Sequence, residues 1–160
     1  MILSESIISE KAVIGSGTKI WHHTYIGDDT EIGDNVVIGS LAHIDYNVNI
    51  GNNTKIEGQA YIAPLCKIGN DVFIGPAAVL TNDPYPMCNK MSGVTVLDGA
   101  IVGARAVIRA GVTIGRNSVV GMGSVVIRDV PDDVVVMGVP ATIRYTRAEY
   151  DTKKKRWQES

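Results

Sequence analysis

The chain has 160 residues, 45% of them hydrophobic and 20% charged, and its 15 Lys and Arg against 17 Asp and Glu give a formal net charge of -2. That length predicts one domain, residues 1–160, and the near balance of charge excludes the basic footprint of a nucleic-acid-binding surface. Two cysteines (Cys66 and Cys88), a start at Met1 to Glu10 without a secretory leader, and no apolar run of membrane-spanning length point to a cytoplasmic protein without a disulfide framework.

Along the first half of the chain, twelve isoleucines stand at every sixth position: Ile8, Ile14, Ile20, Ile26, Ile32, Ile38, Ile44, Ile50, Ile56, Ile62, Ile68 and Ile74, with Leu80 extending the series. Neither a helix nor a simple strand has that period, so it marks a copied structural unit. Two places before each isoleucine the residue is nearly always small or β-branched, as at Ala12, Thr18, Thr24, Val36, Ala42, Thr54 and Cys66. Residues two apart on a strand share a face, so each hexad is expected to send one large and one small side chain inward. Glycine often follows the isoleucine, as at Gly15, Gly27, Gly39 and Gly75, where it is expected to permit a corner. Short strands joined at corners and stacked coil on coil make an all-β solenoid with isoleucine along the axis. The residue just before each isoleucine then faces out. Every third hexad shares a face, which lines up Ile7, Tyr25, His43, Tyr61 and Val79.

After Leu80 the phase slips. Sixteen positions separate Leu80 from Val96, and the series resumes through Val102, Ile108, Ile114, Val120 and Val126. The expected layout is coils over 8–80 and 96–126, an extruded loop over 81–95, and an extension over 130–160. The hexads make about six coils, roughly 30 Å of stack at ~4.8 Å per layer. An interruption in a solenoid is where function is expected. In the extension, Thr146 followed by Glu149 forms a capping box and predicts a short helix from about Arg147 to Gln158. The basic run Lys153 to Arg156 reads as the solvated end of that helix, with a phosphate contact as the alternative.

The aliphatic–glycine–small pattern from Ile8 to Val126 resembles the hexapeptide-repeat acyltransferases. That resemblance implies a left-handed parallel β-helix with three hexads per coil, the hand coming from the resemblance alone. It further implies a homotrimer with active sites between subunits, acetyl-coenzyme A as co-substrate, and no metal. Gly138-Val139-Pro140-Ala141 resembles a glycine-x-proline-alanine signature of hexapeptide acetyltransferases, which implies that Pro140 lies beside the coenzyme tail. Arg144 is then placed either at the coenzyme's phosphates or as a cap on the helix. The same resemblance adds Ala104, Gly121 and Met122 to the coenzyme site. Past the break the outward residues Ile101, Val107, Val119 and Val125 are apolar, so subunit packing and a slot for the pantetheine arm are both expected to cover them.

Two further segments, Leu80-Thr81-Asn82-Asp83-Pro84-Tyr85-Pro86 and Ile20-Trp21-His22-His23, resemble acetyltransferases that modify the 3-amino group of nucleotide-linked sugars, among them UDP-linked 3-amino-glucuronate. Met87 departs from the pattern, standing where many of those enzymes carry arginine. The implied function is an N-acetyltransferase acting on a nucleotide-linked amino sugar for a surface glycan. A neutral amine must attack a thioester, lose a proton, and leave a steadied oxyanion. Asn82 is the candidate that holds the amine through its side-chain oxygen, with Asp83 as an auxiliary acceptor; His22, His43 and Tyr85 are candidate substrate contacts. The competing reading of Asn82-Asp83-Pro84 is a turn. His43 is alternatively a ladder residue at a subunit interface, and His22 a structural residue at the Trp21 corner.

Other functions stay open. The loop has no histidine where maltose and galactoside acetyltransferases show glycine-histidine-proline, which argues against an O-acetyltransferase. A γ-carbonic-anhydrase-like zinc site would have to draw on His22, His23 and His43, which lack that family's arrangement. The third alternative is a non-catalytic solenoid subunit.

Overall fold

The computed structural model describes residues 1–2 and 5–160. Among them, nineteen two-residue strands, β1 (Ile7–Ile8) through β19 (Val125–Val126), follow one another at the hexad spacing except across the break between the thirteenth and fourteenth. Each pairs in parallel with the strand one coil away, giving sheets of seven, six and six strands that form the three faces of a prism, the third extended to eight by two later strands described below. The register is the one the period demands: Tyr25 lies beside His43, His43 beside Tyr61, and Tyr61 beside Val79. The solenoid is consistent with the left-handed parallel β-helix implied by the resemblance.

Both inward positions are filled as expected. Ile26, Ile38, Ile44, Ile56, Ile62, Ile74, Leu80 and Ile108 are fully buried along the axis, each contributing about 2–3 kcal/mol by leaving water. The small positions complete the packing, and where they are threonine the hydroxyl finds a carbonyl in the next coil: Thr30 Oγ1 donates to Asp45 O at 2.7 Å and Thr54 Oγ1 to Gly69 O at 2.8 Å. These bonds let polar groups sit in the core without an unpaired donor. Cys66 occupies one small position, and burial pushes its thiol up to about 11.

The corner chemistry differs from the expectation. The glycine after each isoleucine does not supply the left-handed backbone; that conformation falls two residues later, at His23 (φ 57°), Asp29 (54°), Asn35 (56°) and Asn47 (53°). Asn and Asp tolerate it better than other side chains do. Glycine is needed because the next coil passes overhead. A Cβ on Gly27 would stand 2.7 Å from Tyr46 N, and one on Gly75 2.5 Å from Ala104 N.

The stack also exceeds about six coils, reaching about seven, because chain at both ends continues it. Ile2 bridges to Ile20 and Val130 to Ile114. The extension holds two strands that the period did not reveal. β20 (Val134–Gly138) lies parallel to β18 (Val119–Val120) on the third face, and β21 (Ala141–Thr146) turns back antiparallel. Helix α1 spans Arg147–Gln158, with Thr146 as N-cap and Glu149 completing the capping box. Arg147 fastens it to the coils: Nη1 donates to Asn117 O at 2.7 Å and Gly99 O at 3.2 Å, while Nε meets Asp151 Oδ1 at 3.0 Å.

Candidate active site

The phase slip is an extruded loop. Coil neighbours before the loop are 18 residues apart, as Ile50 and Ile68 are, whereas the pairs that span it, Ile68 with Val96, Ile74 with Val102 and Leu80 with Ile108, are 28 apart. Ten extra residues therefore leave the first face after β13 (Val79–Leu80) and rejoin the coil ahead of β14 (Thr95–Val96); Thr95 lies in that strand, and Val94, fully buried with its carbonyl accepting from Lys67 N at 2.9 Å, belongs to the coil too, so the loop ends before Val94. Thr81 hooks its start to the coil above, its N and Oγ1 both donating to Ile108 O at 3.1 and 2.9 Å. Ser92 closes its base, donating to Asn82 O at 2.8 Å and accepting from Gly111 N at 3.0 Å.

Within the loop, Asn82 and Asp83 are differently engaged. Both Asp83 oxygens hold the backbone, Oδ1 accepting from Tyr85 N at 3.0 Å and Oδ2 from Cys88 N at 3.1 Å. That is the turn geometry foreseen for an aspartate before proline. The Asn82 side chain donates Nδ2 to Met91 Sδ at 3.3 Å, which leaves Oδ1 without a partner among the described residues. Tyr85 is 72% exposed, with the Arg109 guanidinium 5.5 Å from its ring centre, and Met87 is fully exposed.

Below the loop, the first face carries an aromatic ladder. His43 stacks on Tyr25 with ring centres 4.5 Å apart and tilts against Tyr61 at 5.4 Å. Its Nε2 lies 3.8 Å from Asp45 Oδ2, the oxygen that accepts the Tyr61 hydroxyl at 3.3 Å. Burial, reinforced by the Asp45 carboxylate, holds the Tyr61 phenol above its usual range. His43 thus stands two strands below Val79, about 10 Å along the stack. His22 is not brought to the loop. It occupies the exposed corner after β3 (Lys19–Ile20), its ring 6.2 Å from His23, on the edge between the third and first faces, while the loop leaves at the opposite edge of the first face.

That third-to-first edge carries a second candidate feature. An apolar groove of about 570 Å³ runs past Phe73, Pro76, Ile101, Ala104, Val119, Gly121, Met122, Met137 and Tyr150, and no charged side chain lines it. Three of the expected coenzyme residues, Ala104, Gly121 and Met122, meet here. Pro140, in the turn between β20 and β21, and the exposed Arg144 on β21 lie on the adjoining hairpin outside the lining. Met137 from β20 and Tyr150 from α1 were not foreseen; the apolar run Val134-Val135-Val136-Met137 was the available signal for the first. Val119, outward on its strand, is only 3% exposed because these C-terminal elements fold over it. Among the described residues, no three His, Cys, Asp or Glu side chains converge on a metal position, and no helix is long and apolar enough to cross a membrane.

Known proteins place this geometry. The family model for the bacterial transferase hexapeptide (six repeats) matches residues 11–45, 47–82 and 91–128, and that for the hexapeptide repeat of succinyl-transferase matches 29–63. A 2,3,4,5-tetrahydropyridine-2,6-dicarboxylate N-acetyltransferase of Clostridium perfringens is 59% identical over 46 residues, 29% of this chain and 20% of that protein. Galactoside O-acetyltransferase of Escherichia coli K12 is 46% identical over 50 residues, 31% of this chain and 25% of that protein. Among solved structures, a histidine-to-alanine mutant of GDP-perosamine N-acetyltransferase from Caulobacter crescentus, in complex with CoA and GDP-perosamine, is 30% identical with a TM-score of 0.59. That match covers 89% of this chain and 55% of the other. The chain thus spans a quarter or less of these curated relatives and about half of the solved one. Since the matched repeats take in most of its coils, the chain belongs to the bacterial hexapeptide-repeat transferase family.

Proposed function

We propose that this protein is a cytoplasmic, homotrimeric N-acetyltransferase that carries an acetyl group from acetyl-coenzyme A to the amine of a nucleotide-linked amino sugar, the 3-amino group by the loop's resemblance. The observation that carries the reading is the presence, at one level of the stack but at opposite edges of one face, of an uncharged apolar groove and an extruded loop bearing an amide oxygen on Asn82 without a partner among the described residues. The likeness to a GDP-perosamine N-acetyltransferase bound to CoA supports it.

The groove's residues suit an extended acyl-pantetheine arm, with Phe73, Ile101, Val119 and Met122 offering apolar contact along its length. Bound there, acetyl-coenzyme A supplies the thioester carbonyl. Asn82 Oδ1 accepts a hydrogen bond from the sugar amine and so turns the nitrogen lone pair toward that carbonyl. An amide is a poor base, so the contribution is orientation and proximity. Asp83 acts through the loop, fixing the turn that presents Asn82, and Tyr85 and His43 are the nearest candidates for the sugar and nucleotide. Groove and loop lie at opposite edges of the first face, which favours a trimer in which one subunit's loop meets its neighbour's groove. The largely aromatic and aliphatic Tyr25, His43, Tyr61, Val79 and Val107 ladder between them suits burial in such an interface.

The test is thiol release from acetyl-coenzyme A with a panel of UDP-, dTDP- and GDP-linked amino sugars. Acetylation of at least one, falling about a hundredfold or more in Asn82→Ala, is the expected result. Turnover only with galactosides would favour the O-acetyltransferase reading that the galactoside match keeps in view, and no turnover at all would sink both.

A further inference from the structure

Arg109 is the residue of the loop region that the fold leaves unaccounted for. It follows Ile108 at the end of β16 (Val107–Ile108), where Leu80 pairs with Ile108 and Thr81 donates twice to the Ile108 carbonyl. Its backbone therefore begins beside the residue that precedes Asn82. The side chain is half-buried, yet among the described residues its one contact is the ring of Tyr85, with the guanidinium carbon 5.5 Å from the centroid. The nearby carboxylates are committed elsewhere. Asp83 holds Tyr85 N and Cys88 N, and Asp129 Oδ1 accepts from Thr113 N. A guanidinium carries five donors that are never discharged by deprotonation, and a planar ring satisfies none of them as a hydrogen-bond acceptor.

We propose that Arg109 is the oxyanion-binding residue of the nucleotide-sugar site, taking the diphosphate in a forked pair of N–H···O bonds, with Tyr85 as the platform that parks the guanidinium beforehand. The inference rests on the proposed function for the identity of the substrate. Diphosphate and a sugar carboxylate share the chemistry an arginine recognises; the diphosphate is the assignment because any nucleotide-linked sugar brings one, whatever its ring carries. Tyr85 is mostly exposed, so its ring can shift with the loop as the anion arrives. Arg109 is a positioning residue for substrate and takes no part in the bond-making step.

The experiment is calorimetric binding of UDP, uridine, glucuronate and coenzyme A to the wild-type protein and to Arg109→Met, Arg109→Lys and Lys55→Met, each first checked for unchanged thermal unfolding. UDP affinity should fall about 10- to 100-fold in Arg109→Met, recover partly in Arg109→Lys, and stay level in Lys55→Met; uridine and coenzyme A should be indifferent to all three. In turnover, Arg109→Met should raise KM for the nucleotide sugar by a similar factor and leave kcat within about twofold. Equal UDP affinity in wild type and Arg109→Met, no UDP binding by the wild type, or a loss confined to glucuronate or coenzyme A would overturn the assignment. Failure of the acetyl-transfer panel sinks the proposed activity, while the UDP comparison still decides the role of Arg109.

Discussion

On the third face, Lys19, Val37 and Lys55 stand outward in three successive layers, and Phe73, Ile101 and Val119 stand outward in the next three. Beneath both runs lies the same row of buried side chains: Ile20, Ile38, Ile56, Ile74, Val102 and Val120. The interior is blind to the change. It occurs at the level where the first face releases its loop and where β20 and α1 fold back over the third. A solenoid separates two jobs that most domains mix: inward positions specify the stack, and outward positions are free to specify a ligand.

The sharpest way to break that division is to swap the effects. Ile62→Ala, on the axis, should cost about 2–5 kcal/mol in denaturant unfolding. Lys55→Ala, outward in the lower layers, should stay within about 0.5 kcal/mol. A large effect at Lys55 would show that the lower exterior is structural after all. Next, Ala104→Trp places a bulky ring in the groove and should raise KM for acetyl-coenzyme A about tenfold or more without changing thermal unfolding; an unchanged KM would remove the groove from the site.

The third test concerns the core's single thiol. The folded-state pKa of Cys66 is raised to about 11 from an ordinary 9.0, since burial penalises the thiolate. Its neutral form is therefore favoured by folding, and that stability is fully present below about pH 9 and is lost as pH rises through about 11. Cys66→Ala should flatten the alkaline decline in unfolding free energy, and a thiol reagent at pH 8 should label the half-exposed Cys88 well before Cys66. Equal labelling rates would contradict the packing.

The six-residue period made the axis readable down to individual side chains, since burial of Ile38 or Ala42 depends only on position within the hexad. It exposed the loop equally well, as a failure of phase at Leu80. Glycine was harder, because steric approach between coils is a relation between residues about 18 apart, which no local motif displays. The extension hid more: β20 joins the stack without the hexad rhythm, so its apolar run was the one hint of Met137, and nothing pointed to Tyr150 in the groove. Arg109 went unread, since the position after the inward aliphatic residue also carries a charge at Asp45 and Glu57, and only its place beside the loop sets it apart. Asp83 shows the opposite limit, since its residue type fits both a catalytic acceptor and a turn, and only the amides it meets tell them apart.

A crystal structure with coenzyme A and an accepted nucleotide amino sugar would test the central claim most directly. The account predicts the pantetheine arm along Phe73, Ile101, Val119 and Met122 of one subunit, and the sugar amine within hydrogen-bond distance, about 3 Å, of Asn82 Oδ1. An amine held instead at His43 or His22, or a coenzyme bound away from the groove, would contradict it.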